Sequence, residues 1–241
     1  MLVYCQPVLN ILTQKYDTAE ALMRLQLPQV GMVYPDQFIP LAEADGCIHT
    51  LTEIILHKTC KMIKRLAEAG CRFERVSVNV SAMELKSEGF CRDITGIIQD
   101  CGVTGDKVAL ELTESRSDSD FLLMKSKISD LRAQGIKIYL DDFGTGYSNM
   151  ERIMELLFDI IKFDRSLVIA SGENPRSEKL VESLASMFAS LDYSVLYEGV
   201  ESESDEKLCR DMGASYLQGY KYSRPIPIEN LEAYFEKENI A

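Results

Sequence analysis

At 241 residues the chain has room for one large domain or two small ones, and the length suits an eight-stranded α/β barrel without insertions. A formal net charge of -12 excludes the clustered Lys and Arg of a nucleic-acid binder, so DNA is not an expected partner and any anionic substrate needs positive charge from elsewhere. Seven cysteines without a C-x-x-C pair argue against a disulfide framework or a thiolate zinc site and imply a reducing cytosol.

No apolar run reaches the roughly 18 residues of a membrane span, and the N-terminus lacks the regions of a signal peptide. Glycine and proline are scattered and nothing reads as a linker, so residues 1–241 are expected to be one domain. The chain starts almost inside a strand, which suggests a piece cut from a longer multidomain protein.

The strand candidates are 3–9, 17–25, 75–81, 107–113, 136–142, 160–164, 194–198 and 215–220. The first two are separated only by a polar turn around Thr13 to Lys15 and should pair antiparallel. Helical stripes fall between the later strands: Leu51, Ile55, Met62 and Leu66; Ile94, Ile97, Ile98 and Cys101; Phe121, Met124, Ile128 and Leu131; Leu180, Leu184, Met187, Phe188 and Leu191. Helices ending at Gly70, Gly102 and Gly135 lead within a few residues into β-branched strands. Strand and helix alternation of this kind predicts a TIM-like (β/α)8 barrel with an irregular antiparallel first strand.

In such barrels the active site lies at the C-terminal ends of the strands. Here those ends read Glu20-Ala-Leu-Met-Arg24, Asn79-Val-Ser81, Glu111-Leu-Thr-Glu114, Asp141-Asp142-Phe-Gly-Thr-Gly146, Lys162-Phe-Asp164, Glu198-Gly-Val-Glu201 and Gln218-Gly-Tyr220. Side-chain alternation puts Glu20, Leu22 and Arg24 on one face, and turns Asn79 and Glu111 inward while the flanking valines and leucines face the helices. Carboxylates converging on one barrel mouth require cations or protons. Their hard oxygens favour Mg²⁺ or Mn²⁺ over zinc, and His49 and His57 lie at no strand end.

Asp141 and Asp142 would face opposite ways along a regular strand, so both reach one site only if the strand has ended. The following Phe-Gly-Thr-Gly is expected to supply that break. Such a pair suits two metals about 3.5–4 Å apart, and the alternative is an Asx-turn cap. Lys162, flanked by Ile161 and Phe163, would be costly in a core without a partner. For Arg24 the alternative to substrate contact is a surface salt bridge. Glu114, three residues after Glu111, has the wrong parity for a ligand and reads as a loop anchor.

Taken in order, these seven motifs resemble the EAL-domain family, which hydrolyses cyclic di-GMP, and the match covers almost the whole chain. The resemblance implies that Glu20, Asn79, Glu111 and Asp141 hold one metal and that Asp141 and Asp142 hold a second. It makes Glu198 the general base or water-orienting group, with Lys162 beside it. Arg24 and Leu22 would contact the nucleotide, Gln218 would complete the polar wall, and Glu114 would anchor the loop after Asp142, near a homodimer contact. It also implies regulatory domains in the full-length protein and a cytoplasmic location, either free or as the cytoplasmic part of a membrane-anchored protein.

Departures from the family pattern are Cys5 where tyrosine is usual, Leu25 where tryptophan is common, and the absence of a helix before the first strand. They touch packing more than chemistry. The expected reaction is hydrolysis of cyclic di-GMP to linear 5′-pGpG. The alternative is a receptor that binds the dinucleotide without turnover, and a third reading uses the acidic stretch 198–206 for protein contact.

Overall fold

The computed structural model describes residues 1–113, 118–145 and 150–238. Strands β1 (Leu2–Asn10) and β2 (Lys15–Leu27) pair antiparallel, in a register that sets Gln6 opposite Glu20 and Tyr4 opposite Leu22. Their turn is built locally: Asn10 Oδ1 accepts from the N–H groups of Leu12 at 3.0 Å and Thr13 at 3.3 Å, and Gln14 takes a φ of 56°.

The barrel continues with β2 parallel to β4 (Arg75–Val80), then β5 (Val108–Thr113), β6 (Lys137–Phe143), β7 (Ile160–Phe163), β8 (Ser194–Tyr197) and β9 (Tyr216–Leu217), all parallel neighbours. Pairing of Leu9 with Leu217 and Asn10 with Tyr216 joins β9 antiparallel to β1 and closes the ring at eight strands. The expected barrel with an antiparallel first strand is therefore the observed fold. Two small strands were not anticipated. β3 (Gly31–Val33) folds back on the end of β2, and β10 (Ile226–Pro227) extends the β9 edge of β1.

The described α-helices are α1 (Pro35–Ala44), α2 (Ile48–Glu68), α3 (Phe90–Asp100), α4 (Asp118–Ala133), α5 (Met150–Glu155), α6 (Arg165–Glu173), α7 (Pro175–Ser190), α8 (Glu203–Asp211) and α9 (Leu231–Glu238). The glycine punctuation holds: Gly70, Gly102 and Gly135 have φ of 73°, 70° and 85°, and the residue after each bonds back to the carbonyl five residues earlier. One stripe holds only in part. Phe188 is buried and Leu184 and Met187 are half-buried against the core as expected, but Leu180 and Leu191 are exposed, and Val181 and Ala185 complete the buried face of α7.

Alternation along the strands divides the molecule into layers. Val76, Val78, Leu110, Leu112, Ile138, Leu140, Ile161 and Phe163 pack outward in the main core, with helical residues such as Ile55, Leu66, Ile94 and Ile128. Inside the barrel, Val8, Ala109, Tyr139, Ile160 and Leu196 form a separate apolar cluster with Tyr216 against it. Two residues further along those same inner faces stand Gln6, which precedes Val8 because β1 runs the other way, Glu111, Asp141, Lys162, Glu198 and Gln218. An apolar floor thus carries a charged layer at the C-terminal mouth.

Candidate active site

Lys162 sits at the centre of this layer and is 1% exposed. Its Nζ lies 2.5 Å from Glu111 Oε2, 2.8 Å from Asp141 Oδ1, 2.8 Å from Glu198 Oε1 and 3.7 Å from Glu20 Oε2. Burial alone would lower the affinity of Lys162 for its proton, but Asp141, Glu111, Glu198 and Glu20 reverse this and hold the ammonium charged well beyond its usual range. One ammonium cannot balance four carboxylates. Burial, with Glu20 adding to it, pushes Glu111 well above the usual carboxylate range against the pull of Lys162, and burial with Asp141 and Glu20 pushes Glu198 up to about 8.

Amides tie the remaining wall. Asn79 Nδ2 donates to Glu20 Oε1 at 2.6 Å, while Gln218 Nε2 donates to Glu20 Oε2 at 2.7 Å and lies 3.3 Å from Gln6 Oε1. Gln6 was missed at the level of sequence. Antiparallel parity would have found it, since its position opposite Glu20 turns it into the same mouth.

Asp141 and Asp142 reach one site by a route other than the expected one. β6 does not end before Phe143. Its register against β7 slips between Leu140 and Phe143, and Asp142 takes a left-handed φ of 56°. This is a β-bulge, which spends one extra residue and resets the alternation. Phe143 consequently faces outward, stacked 5.1 Å from Phe163, and both aspartates are left at the mouth. Aspartate tolerates left-handed backbone better than most residues, so the acid at the bulge also meets its backbone demand.

Oxygens of Asp141, Asp142 and Glu198 all lie within 4.8 Å of one another. Asp141 Oδ1, although at ion-pair distance from Lys162, is buried and accepts no well-formed hydrogen bond. Unsatisfied hard oxygen and excess negative charge are what a divalent cation would relieve, so the residues present fit such an ion. In this geometry Glu198 joins the aspartates, whereas Glu20 and Glu111 are engaged by amides and by Lys162.

Above the cluster opens a cleft of about 320 Å³ lined by Glu20, Leu22, Asp141, Lys162, Glu198 and Gln218, and also by Arg165, Glu201 and Tyr220. Arg24 does not line it. Its guanidinium lies 5.7 Å from the Tyr4 ring and 5.3 Å from the Tyr34 ring, and Nη1 donates to the Met23 carbonyl at 2.7 Å. The surface salt bridge weighed for Arg24 is thus replaced by aromatic stacking. Asp164 caps α6, and Glu201 pairs with Arg165 at 2.6 Å. Glu114 lies outside the described residues.

A family model described as the EAL domain matches residues 1–225. The chain belongs to the EAL-domain family. Among curated relatives, this EAL domain is 31% identical over 232 residues to the cyclic di-GMP phosphodiesterase NbdA of Pseudomonas aeruginosa, covering 96% of the present chain and 30% of NbdA. It is 31% identical over 224 residues to the cyclic di-GMP phosphodiesterase PdeL of Escherichia coli, covering 93% of this chain and 62% of PdeL. The chain therefore spans less than a third of NbdA and under two thirds of PdeL. Among solved structures, a PaMucR phosphodiesterase in complex with c-di-GMP superposes with a TM-score of 0.88 at 28% identity, covering 95% of this chain and 93% of that one.

The glycines of the EAL domain's E-G-V-E and Q-G-Y motifs have a steric reason. A Cβ on Gly219 would fall 2.0 Å from the Val200 carbonyl oxygen, and the two loops are stitched by Val200 N–H to Gln218 O at 3.1 Å and Lys221 N–H to Val200 O at 3.0 Å. Only glycine permits this approach, which keeps Gln218 and Glu198 on the wall of one cleft. No helix among the described residues is long and apolar enough to cross a membrane.

Proposed function

We propose that this EAL domain hydrolyses cyclic di-GMP to linear 5′-pGpG. The observation that carries the reading is the convergence of Asp141, Asp142 and Glu198 within 4.8 Å beside the buried ammonium of Lys162, at the mouth of the barrel. Relatives over almost the whole chain are named cyclic di-GMP phosphodiesterases, which supports that substrate class.

Asp141 and Asp142, with Glu20, Asn79 and Glu111 behind them, would hold Mg²⁺ or Mn²⁺ at two sites. Such ions would supply Lewis-acid stabilisation of the phosphoryl oxygens and lower the pKa of the attacking water. Glu198 takes the proton of that water as its oxygen attacks phosphorus. The bond from phosphorus to the 3′ oxygen breaks, and the leaving oxygen acquires a proton to become the 3′ hydroxyl, leaving a 5′ phosphate. Lys162 fixes the orientation of the Glu198 carboxylate and offsets charge gathering beside it. Gln218 holds Glu20 in place, Leu22 packs against the nucleotide, and Arg24, held between two tyrosines outside the cleft wall, meets a phosphate that extends beyond that wall. Glu114 anchors the loop after Asp142.

The chain acts as one domain of a longer signalling protein with regulatory domains, works as a homodimer, and resides in the cytoplasm. Chromatographic product analysis with Mg²⁺, Mn²⁺ or Ca²⁺ supplied separately tests the reading. Linear product with Mg²⁺ or Mn²⁺ that stops on chelation is expected. A folded, metal-loaded sample that binds the dinucleotide and yields no product would instead identify a receptor.

A further inference from the structure

The two loops that carry the cluster meet at a third element, the first turn of α6. Asp164 caps this helix, its Oδ1 accepting from Ser166 N–H at 2.9 Å, and its own N–H donates to the Phe143 carbonyl at 3.1 Å. The next residue after Phe143 is Gly144, with φ of 106°, and a Cβ there would lie 2.7 Å from both Cγ and Cδ1 of Leu167. Immediately after Glu198 comes Gly199, with φ of 68°, and its Cβ would lie between 2.4 and 2.6 Å from the Cγ, Cβ and Cδ of Arg165. One helical turn therefore presses one side chain onto the Asp141–Asp142 loop and another onto the Glu198 loop.

We propose that residues 164–167 form a brace, in which Leu167 and Arg165 are positioning residues that set the separation of the aspartate pair from Glu198. The inference rests on the reading of Asp141, Asp142 and Glu198 as the metal and base groups. Leu167 governs how the loop presents its carboxylates to a divalent cation. Arg165 governs where Glu198 stands, and does so through its aliphatic stem lying on Gly199. Its ion pair with Glu201 is half-exposed, and exposed pairs of this kind contribute little. Loop geometry can be set this way because both glycines are in left-handed conformations that depend on what packs against them.

The test is a Mn²⁺ titration of the chain, read by electron paramagnetic resonance of the free aquo ion, with cyclic di-GMP turnover and thermal unfolding measured on the same samples. Leu167→Ala is expected to raise the Mn²⁺ concentration at half-saturation about tenfold, the size typical for groups that support metal ligands, and Leu167→Met to bring it back to within about twofold of the parent. Gly144→Ala, made from the loop side of the same contact, should also weaken Mn²⁺ binding. Arg165→Ala is expected to lower kcat about tenfold with KM held, and Arg165→Lys, which keeps the stem, to restore most of it. Folded Ala variants with parental half-saturation and kcat overturn the brace alone when the parent binds Mn²⁺ and forms product. Arg165→Lys as impaired as Arg165→Ala overturns the role given to the stem. A parent that neither binds Mn²⁺ nor forms product overturns the functional reading and the brace with it.

Discussion

Lys162 Nζ lies 2.8 Å from Glu198 Oε1, and the two residues stand at the ends of adjacent parallel strands, β7 and β8. The pairing gives the EAL domain a buried cation next to a carboxylate that holds its proton unusually well. Removing either member should therefore have separable consequences, one for chemistry and one for stability.

Glu198→Gln keeps the size of the side chain and removes its basicity. Turnover of cyclic di-GMP should fall about 10²- to 10⁴-fold, the usual worth of a positioned base, while dinucleotide affinity stays close to that of the parent. Product chromatography and calorimetric titration with Ca²⁺ read the two quantities. Undiminished product formation would remove Glu198 from its role.

Lys162→Met leaves Glu111, Asp141, Glu198 and Glu20 without their shared ammonium. In EDTA the variant should lose about 3–5 kcal/mol of stability, as when one partner of a buried ion pair is removed. Mg²⁺ should raise the melting temperature of the variant more than that of the parent, because the ion takes over the neutralisation. Differential scanning calorimetry with and without Mg²⁺ decides it.

The metal-free protein should become less stable as pH rises toward 8. Burial raises Glu198 from 4.5 to about 8, so between those values the folded state keeps a proton that the unfolded state has released. Stability then falls with rising pH across that window, and the penalty is complete above about 8 and absent below the unfolded value. Glu111 and Asp142, both shifted upward by burial first, act in the same direction. Thermal unfolding in EDTA from pH 5 upward, repeated with Mg²⁺, should show the slope shrink when the ion is present. A melting temperature that rises across the EDTA series would contradict the prediction.

Arg24→Ala should raise KM about tenfold or more with little change in kcat, the loss expected for a charge-assisted contact to a phosphate. Its place between Tyr4 and Tyr34 makes Tyr34→Ala a milder version of the same change. Steady-state kinetics separates this from a fall in kcat, which would move Arg24 into the chemistry.

Gly219→Ala introduces a Cβ 2.0 Å from the Val200 carbonyl oxygen, where the neighbour is backbone and cannot swing away. At least about 1–3 kcal/mol of stability should be lost from overpacking, together with the arrangement of Gln218 and Glu198. A parental melting temperature would mean that the two loops separate more easily than their hydrogen bonds suggest.

Legibility in the sequence followed from periodicity. Period-two alternation told inward from outward at Glu111 and Asn79 because valines and leucines flank them, and glycine punctuation located the helix ends at Gly70, Gly102 and Gly135. In α7 the expected stripe was right at Leu184, Met187 and Phe188 and wrong at Leu180 and Leu191, since leucine is common on solvent faces too. The β3 strand and α1 were hidden because neither carries a strong stripe of its own.

Sequence alone determined the barrel, its antiparallel first strand, and the set of acids and amides at the strand ends, because each depends on local alternation and chain order. Tertiary structure decided how those groups share charge. Lys162 became the hub only once four strands had closed around it, and Asp142 reached the mouth through a bulge rather than a turn, which no local signal distinguishes. Arg24 lies between Tyr4 of β1 and Tyr34 at the cap of α1, and not on the cleft wall. Contacts of this kind depend on distances between segments remote in the chain, and neither side-chain period nor turn chemistry encodes those distances.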